Sequence, residues 1–159
     1  MKKKSSILTL FILLLSLLFV NQSTFAHCEI PCGIYEDSLR VSLIKEHVTT
    51  IEKSIKMISE LSKEDSPNYN QIVRWVMNKE KHAKEIQEIV SQYFLHQRVK
   101  ITDSSNKEQY NKYVQQLKSL HEIAVYAMKT KQSTDATNIE KLRKSIKSFE
   151  EVYFHSHEH

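Results

Sequence analysis

Both cysteines of the 159-residue chain, its only glycine and one of its two prolines fall within nine consecutive residues: His27-Cys28-Glu29-Ile30-Pro31-Cys32-Gly33-Ile34-Tyr35. The segment before them has the three parts of a secretory leader: Lys2, Lys3 and Lys4, an apolar run over residues 7–20, and a polar exit with Thr24 and Ala26 at the small-residue positions. A cut after Ala26 would make His27 the first residue. A free amine, an imidazole and two thiols would then lie within a short stretch of backbone. In an exported chain two cysteines also permit a disulfide, and the four-residue spacing allows one to close a small loop. A redox dithiol fits less well, because its usual signature has the cysteines three apart within a βαβ pattern.

A metal hook accounts for more of the local sequence. Thiolates favour soft or borderline metals, and an α-amine titrates near neutrality. The His27 amine and the Cys28 thiolate flank one peptide unit. With that backbone nitrogen deprotonated they would form two fused chelate rings in a plane, and Cys32 could close the fourth corner. A planar N2S2 set suits a d8 ion such as Ni(II), whereas zinc prefers a tetrahedron. The His27 imidazole can reach over the plane as an axial donor. Pro31 narrows the backbone choices and Gly33 permits positive φ, so the chain can reverse.

These residues resemble the nickel hook of the nickel superoxide dismutases, His-Cys-x-x-Pro-Cys-Gly-x-Tyr, at all six fixed positions. The resemblance implies one nickel ion per subunit. Its donors would be the His27 amine and imidazole, the Cys28 backbone nitrogen, and the Cys28 and Cys32 thiolates. It implies that Tyr35 stands over the open face of the metal, with Tyr93 as the second tyrosine there. It also implies a four-helix bundle assembled as a homohexamer, and a dismutation in which Ni(III) oxidises one superoxide to dioxygen. Ni(II) then reduces a second superoxide, which two protons complete to hydrogen peroxide. Glu29 departs from the aspartate common at its position. Where the family orients the axial imidazole with a glutamate and an arginine, alignment of the second helix puts His82 at the arginine position. Glu46 and Glu36 are the candidates for the glutamate. The alternative function is an exported nickel or copper scavenger that binds through the same hook without turnover.

The remaining histidines carry a weaker signal. His47, His96 and His121 lie on expected helices without a partner at ligand spacing, as surface or interface residues do. His155, His157 and His159 alternate at the end of the chain, where they could bind a metal weakly or simply be solvated.

The elements that must hold the hook are helical. After Gly33 there is no glycine and only one proline, Pro67, while Lys, Glu, Gln, Leu and Ile are plentiful. A first helix is expected over Asp37–Leu61 with Ile44, Val48, Ile51, Ile55 and Ile58 as its buried stripe. A second, capped by Ser66 with Pro67 at its first position, should continue to about residue 99. Its stripe would be Ile72, Val76, Ala83, Ile86, Val90 and Tyr93 or Phe94, looser around Lys79, with Trp75 on a second buried face or at a subunit contact. The third, over residues 107–131, carries Tyr110, Tyr113, Val114, Leu117, Leu120, Ala124, Ala127 and Met128. The fourth opens on a capping-box pattern from Thr137 to Glu140 and buries Ile139, Leu142, Ile146, Phe149 and Tyr153.

The expected fold is therefore all-α, an antiparallel up-and-down four-helix bundle over residues 36–154. It follows a leader (1–26) and the hook (27–35), and precedes a histidine-rich tail (155–159). The apolar run of the leader is shorter than the roughly 20 residues of a spanning helix, so no membrane anchor is expected after cleavage. Setting aside its three lysines, the 23 basic residues nearly balance the 19 acidic ones. That gives no reason to expect a nucleic-acid partner. The chain is expected to be periplasmic or extracellular, with superoxide as its small-molecule substrate.

Overall fold

The computed structural model describes residues 30–154. The leader, His27, Cys28, Glu29 and the 155–159 tail lie outside the described residues. Two units are distinguished, divided between Cys32 and Gly33.

Every regular element among the described residues is helical. The order is α1 (Asp37–Leu61), α2 (Tyr69–Glu88) continued by a π-helical segment (Ile89–Arg98), α3 (Lys107–Gln132) and α4 (Thr137–Phe154). Each helix packs on the next and α1 closes against α4, giving the antiparallel four-helix bundle. No described helix is long and apolar enough to cross a membrane.

The outer pair of helices follows its sequence pattern closely. In α1, Ile44, Val48, Ile51, Ile55 and Ile58 are buried together with Val41, and in α4 all five expected residues are buried. Spacings of three and four residues put each set on one helical face.

The inner pair departs from its pattern. Val76 of α2 is 37% exposed, and the position beside it is filled by Lys79, 4% exposed. The Lys79 Nζ donates to the carbonyls of Lys131 (2.7 Å) and Ser133 (3.3 Å) at the end of α3. A helix C-terminus offers unpaired carbonyls and a negative dipole end, so a buried cation is tolerated there. Burial holds the Lys79 amine below the usual lysine range, with the Glu80 charge opposing. In α3 the buried line runs through Gln116, Leu120, Ile123, Ala127 and Thr130. Tyr110, Val114 and Met128 lie to its flank and are exposed. A stripe drawn through apolar residues alone misses Gln116 and Thr130, and so misplaces this face. Trp75 is half-buried, with Lys53 Nζ 5.8 Å from its ring centroid.

Two expected N-caps are also replaced, although α4 begins at Thr137 as expected. Asn68, not Ser66, caps α2, its side chain accepting from the Gln71 N–H at 3.2 Å. At α4, Asp135 accepts from both the backbone N–H (2.9 Å) and the hydroxyl (2.8 Å) of Thr137. That hydroxyl is therefore committed as a donor to Asp135 rather than acting as a capping-box acceptor.

Candidate metal centre

Of the three residues expected to hold the metal, only Cys32 is described, and it is a free, exposed thiol. A free thiol is the form from which a thiolate ligand is made, so this donor fits a soft or borderline ion. Gly33 follows with φ +78°, and a Cβ placed there would meet nothing within 4 Å. The glycine is required by the backbone conformation and not by lack of space. Ile34 is 82% exposed and Tyr35 38% exposed where the chain approaches α1.

Tyr35 rests on a cluster centred on Asp37, the first residue of α1. Asp37 accepts from the Tyr93 hydroxyl (2.6 Å), the Tyr153 hydroxyl (2.8 Å), and the Arg98 Nε and Nη2 (2.8 and 2.7 Å). Three helical elements thus converge on one carboxylate. The Tyr35 ring lies with the Arg98 guanidinium carbon 4.3 Å from its centroid and meets the Tyr93 ring edge-on at 5.9 Å. Below Tyr93, Phe94 packs edge-on against Phe149 and Tyr153 at 4.9 and 5.6 Å. Arg40 lies over the Tyr93 ring at 5.0 Å, and its buried Nε has no hydrogen-bond partner.

The π-helical segment makes this convergence possible. Residues five apart in an α-helix point about 140° away from one another, whereas a turn closed by i→i+5 bonds brings them toward one face. Such a bond runs from the Val99 N–H to the Phe94 carbonyl at 2.8 Å. Tyr93 and Arg98, five apart, both reach Asp37. The expected continuous α-helix to residue 99 is corrected accordingly.

The cluster sets the protonation of its members. Burial pushes the Asp37 carboxyl up, but hydrogen bonds from Arg98, Tyr93 and Tyr153 and the Arg98 charge outweigh it and leave it below the usual range. Burial, then the bond to Asp37 and its charge, push the Tyr93 phenol up to about 12. Tyr153 is raised by the same causes. For Arg98 the hydrogen bond to Asp37 dominates and secures the charged form.

The structure brings Tyr35 and Tyr93 together, and it reveals Asp37, Arg98 and Tyr153, which sequence reasoning missed. It also gives His47 a partner: its Nδ1 lies 2.8 Å from the Nδ1 of His82 on α2. His82, expected beside the hook imidazole, is thus engaged with His47, about three helical turns from Tyr93. Glu36 accepts from the Ser38 hydroxyl at 2.6 Å, and Glu46 is exposed on α1. His121 is exposed, as expected of a surface histidine.

The described residues define an all-α four-helix bundle protein with an exposed cysteine, Cys32, ahead of its first helix in sequence. The family model for nickel-containing superoxide dismutase matches residues 22–157, and the chain belongs to that family. No curated protein and no solved structure matches it. The family assignment makes the protein a nickel-dependent enzyme that disproportionates superoxide, and it does not favour the scavenger alternative.

Proposed function

We propose that the leader is removed after Ala26 on export to the periplasm or the cell exterior, so that its removal creates part of the active site. The His27 amine and imidazole, the Cys28 backbone nitrogen and thiolate, and the Cys32 thiolate then hold one nickel ion per subunit. The observation that carries this reading is the coincidence of the six-position motif with the leader's end, inside a family match that spans residues 22–157. The free Cys32 thiol and the positive φ of Gly33 support it. Bound nickel supplies a one-electron couple between Ni(III) and Ni(II).

The chain's own residues do the rest. Tyr35 limits what approaches the thiolates, which peroxide would otherwise oxidise. The Tyr93 hydroxyl donates to Asp37, so Tyr93 acts at this face through its ring. The substrate is an anion, and Arg98 is neutralised by Asp37. Arg40 has a buried Nε without a partner and is the cation that draws the anion in.

We further propose assembly as a homohexamer. The support is an exposed apolar line on α2, with Tyr69 70%, Val73 55% and Met77 66% exposed, at helical spacing. The experiment compares the chain begun at His27 with its Cys32→Ser variant after nickel loading under reducing conditions. The wild type is expected to bind one nickel per chain and remove superoxide catalytically, while the variant loses both. A variant that keeps wild-type nickel content and rate would rule out Cys32 as a ligand.

A further inference from the structure

We propose that Arg98, anchored by Asp37, is the positioning residue for Tyr35: its guanidinium is the surface on which the Tyr35 ring is held at the mouth of the site. The inference rests on the reading of Tyr35 as the group guarding the hook.

Tyr35 needs such a support because little else fixes it. It is 38% exposed, precedes α1 by two residues, and its hydroxyl makes no hydrogen bond among the described residues. Among the described residues its ring meets the Arg98 guanidinium at 4.3 Å and the Tyr93 edge at 5.9 Å. Both contact residues are held by Asp37. The carboxylate takes two donors on each oxygen, Tyr93 and Arg98 Nε on one, Tyr153 and Arg98 Nη2 on the other. A carboxylate with this full complement of donors has no room to swing, and the two-point fork fixes the guanidinium plane as well. A planar guanidinium can stack on a phenol face, which an ammonium cannot do in the same way. Asp37 also commits the Tyr93 hydroxyl, leaving Tyr35 as the phenol free to order water or substrate. Arg98 therefore acts through Tyr35.

The test uses Arg98→Lys, which keeps the charge but loses the stacking plane and the fork, with Asp37→Asn as a second variant. Ring resonances of 13C-tyrosine-labelled, nickel-loaded protein are recorded beside nickel content and the rate of superoxide decay, with Tyr35 assigned from Tyr35→Phe. In both variants the Tyr35 resonances are expected to move toward those of a free tyrosine while those of Tyr110 and Tyr126 stay. Nickel content is expected to stay at the wild-type level while the rate falls about tenfold or more. In a Tyr35→Ala background, Arg98→Lys is expected to cost no further rate. Unmoved Tyr35 resonances, or an equal rate loss with and without the Tyr35 ring, would overturn the proposal and leave Arg98 a role in the fold alone. Nickel-loaded wild type that fails to remove superoxide would sink the functional reading instead. The ring resonances would then still decide whether Arg98 holds Tyr35.

Discussion

Asp37 gathers donors that lie 56, 61 and 116 positions away in sequence, and that distance explains why it escaped a reading of the sequence. The proposed hook could be drawn from the sequence because its candidate donor types sit within nine residues. In the sequence Asp37 stood only as the first residue of an expected helix. Its partners could be named only once α1, α4 and the π-helical segment were placed. Because its folded pKa is lowered, its stabilisation is present above the usual carboxylate pKa and lost as pH falls through the lower folded value. Arg40→Gln is expected to lower the rate of superoxide removal several-fold at low ionic strength, where steering is strongest, and to flatten its salt dependence. Rates measured from about 10 to 200 mM salt check it, and an unchanged salt slope would remove Arg40 from the account.

Among the elements, α1 and α4 were read from periodicity because an unbroken apolar line marks their inward faces, with Ser54, Asn138 and Ser145 buried beside it. The inner pair was harder because polar side chains take core positions by finding specific partners, as Lys79 does at the end of α3. The π-helical segment has no glycine or proline to announce it. The His47–His82 pair belongs to the same class, since its members sit on different helices. One imidazole donates to the other at 2.8 Å, an arrangement that two imidazolium rings cannot share. Burial lowers the His47 pKa, and the His82 charge lowers it further, while Glu85 and Glu46 raise it and Lys81 lowers it slightly. A depressed histidine binds its proton more readily when unfolded. Stability is therefore full above the ordinary histidine pKa of about 6.5 and falls as pH drops toward the lower folded value. His47→Gln is expected to flatten this part of the stability profile. Denaturant melts between pH 7.5 and 5, a range of about one unit above and somewhat more below that value, measure it. A variant with the wild-type slope would contradict the assignment.

For the whole molecule, the bundle supplies little redox chemistry of its own, and its ion pairs do modest work. Lys45–Glu150 (2.6 Å) and Arg143–Glu52 (2.7 Å) tie α1 to α4 across exposed surface, where such pairs contribute little stability. What the bundle provides is a rigid end on which the hook's last residue is seated. The exposed line of Tyr69, Val73 and Met77 gives the assembly its prediction. Met77→Lys is expected to reduce the solution mass from six chains toward one while each subunit stays helical, as read by light scattering and circular dichroism. A wild-type protein with the mass of a single chain would end the hexamer proposal.

The central claim is that cutting the chain before His27 creates a nickel ligand, and one comparison tests it most directly. Protein beginning at His27 and protein keeping Ala26 are loaded identically with nickel, and superoxide decay is followed in both. The first is expected to be active. In the second, the amine has become an amide, so activity should fall to the level of the metal-free protein. Equal activity in the two would contradict the amino-terminal chelate.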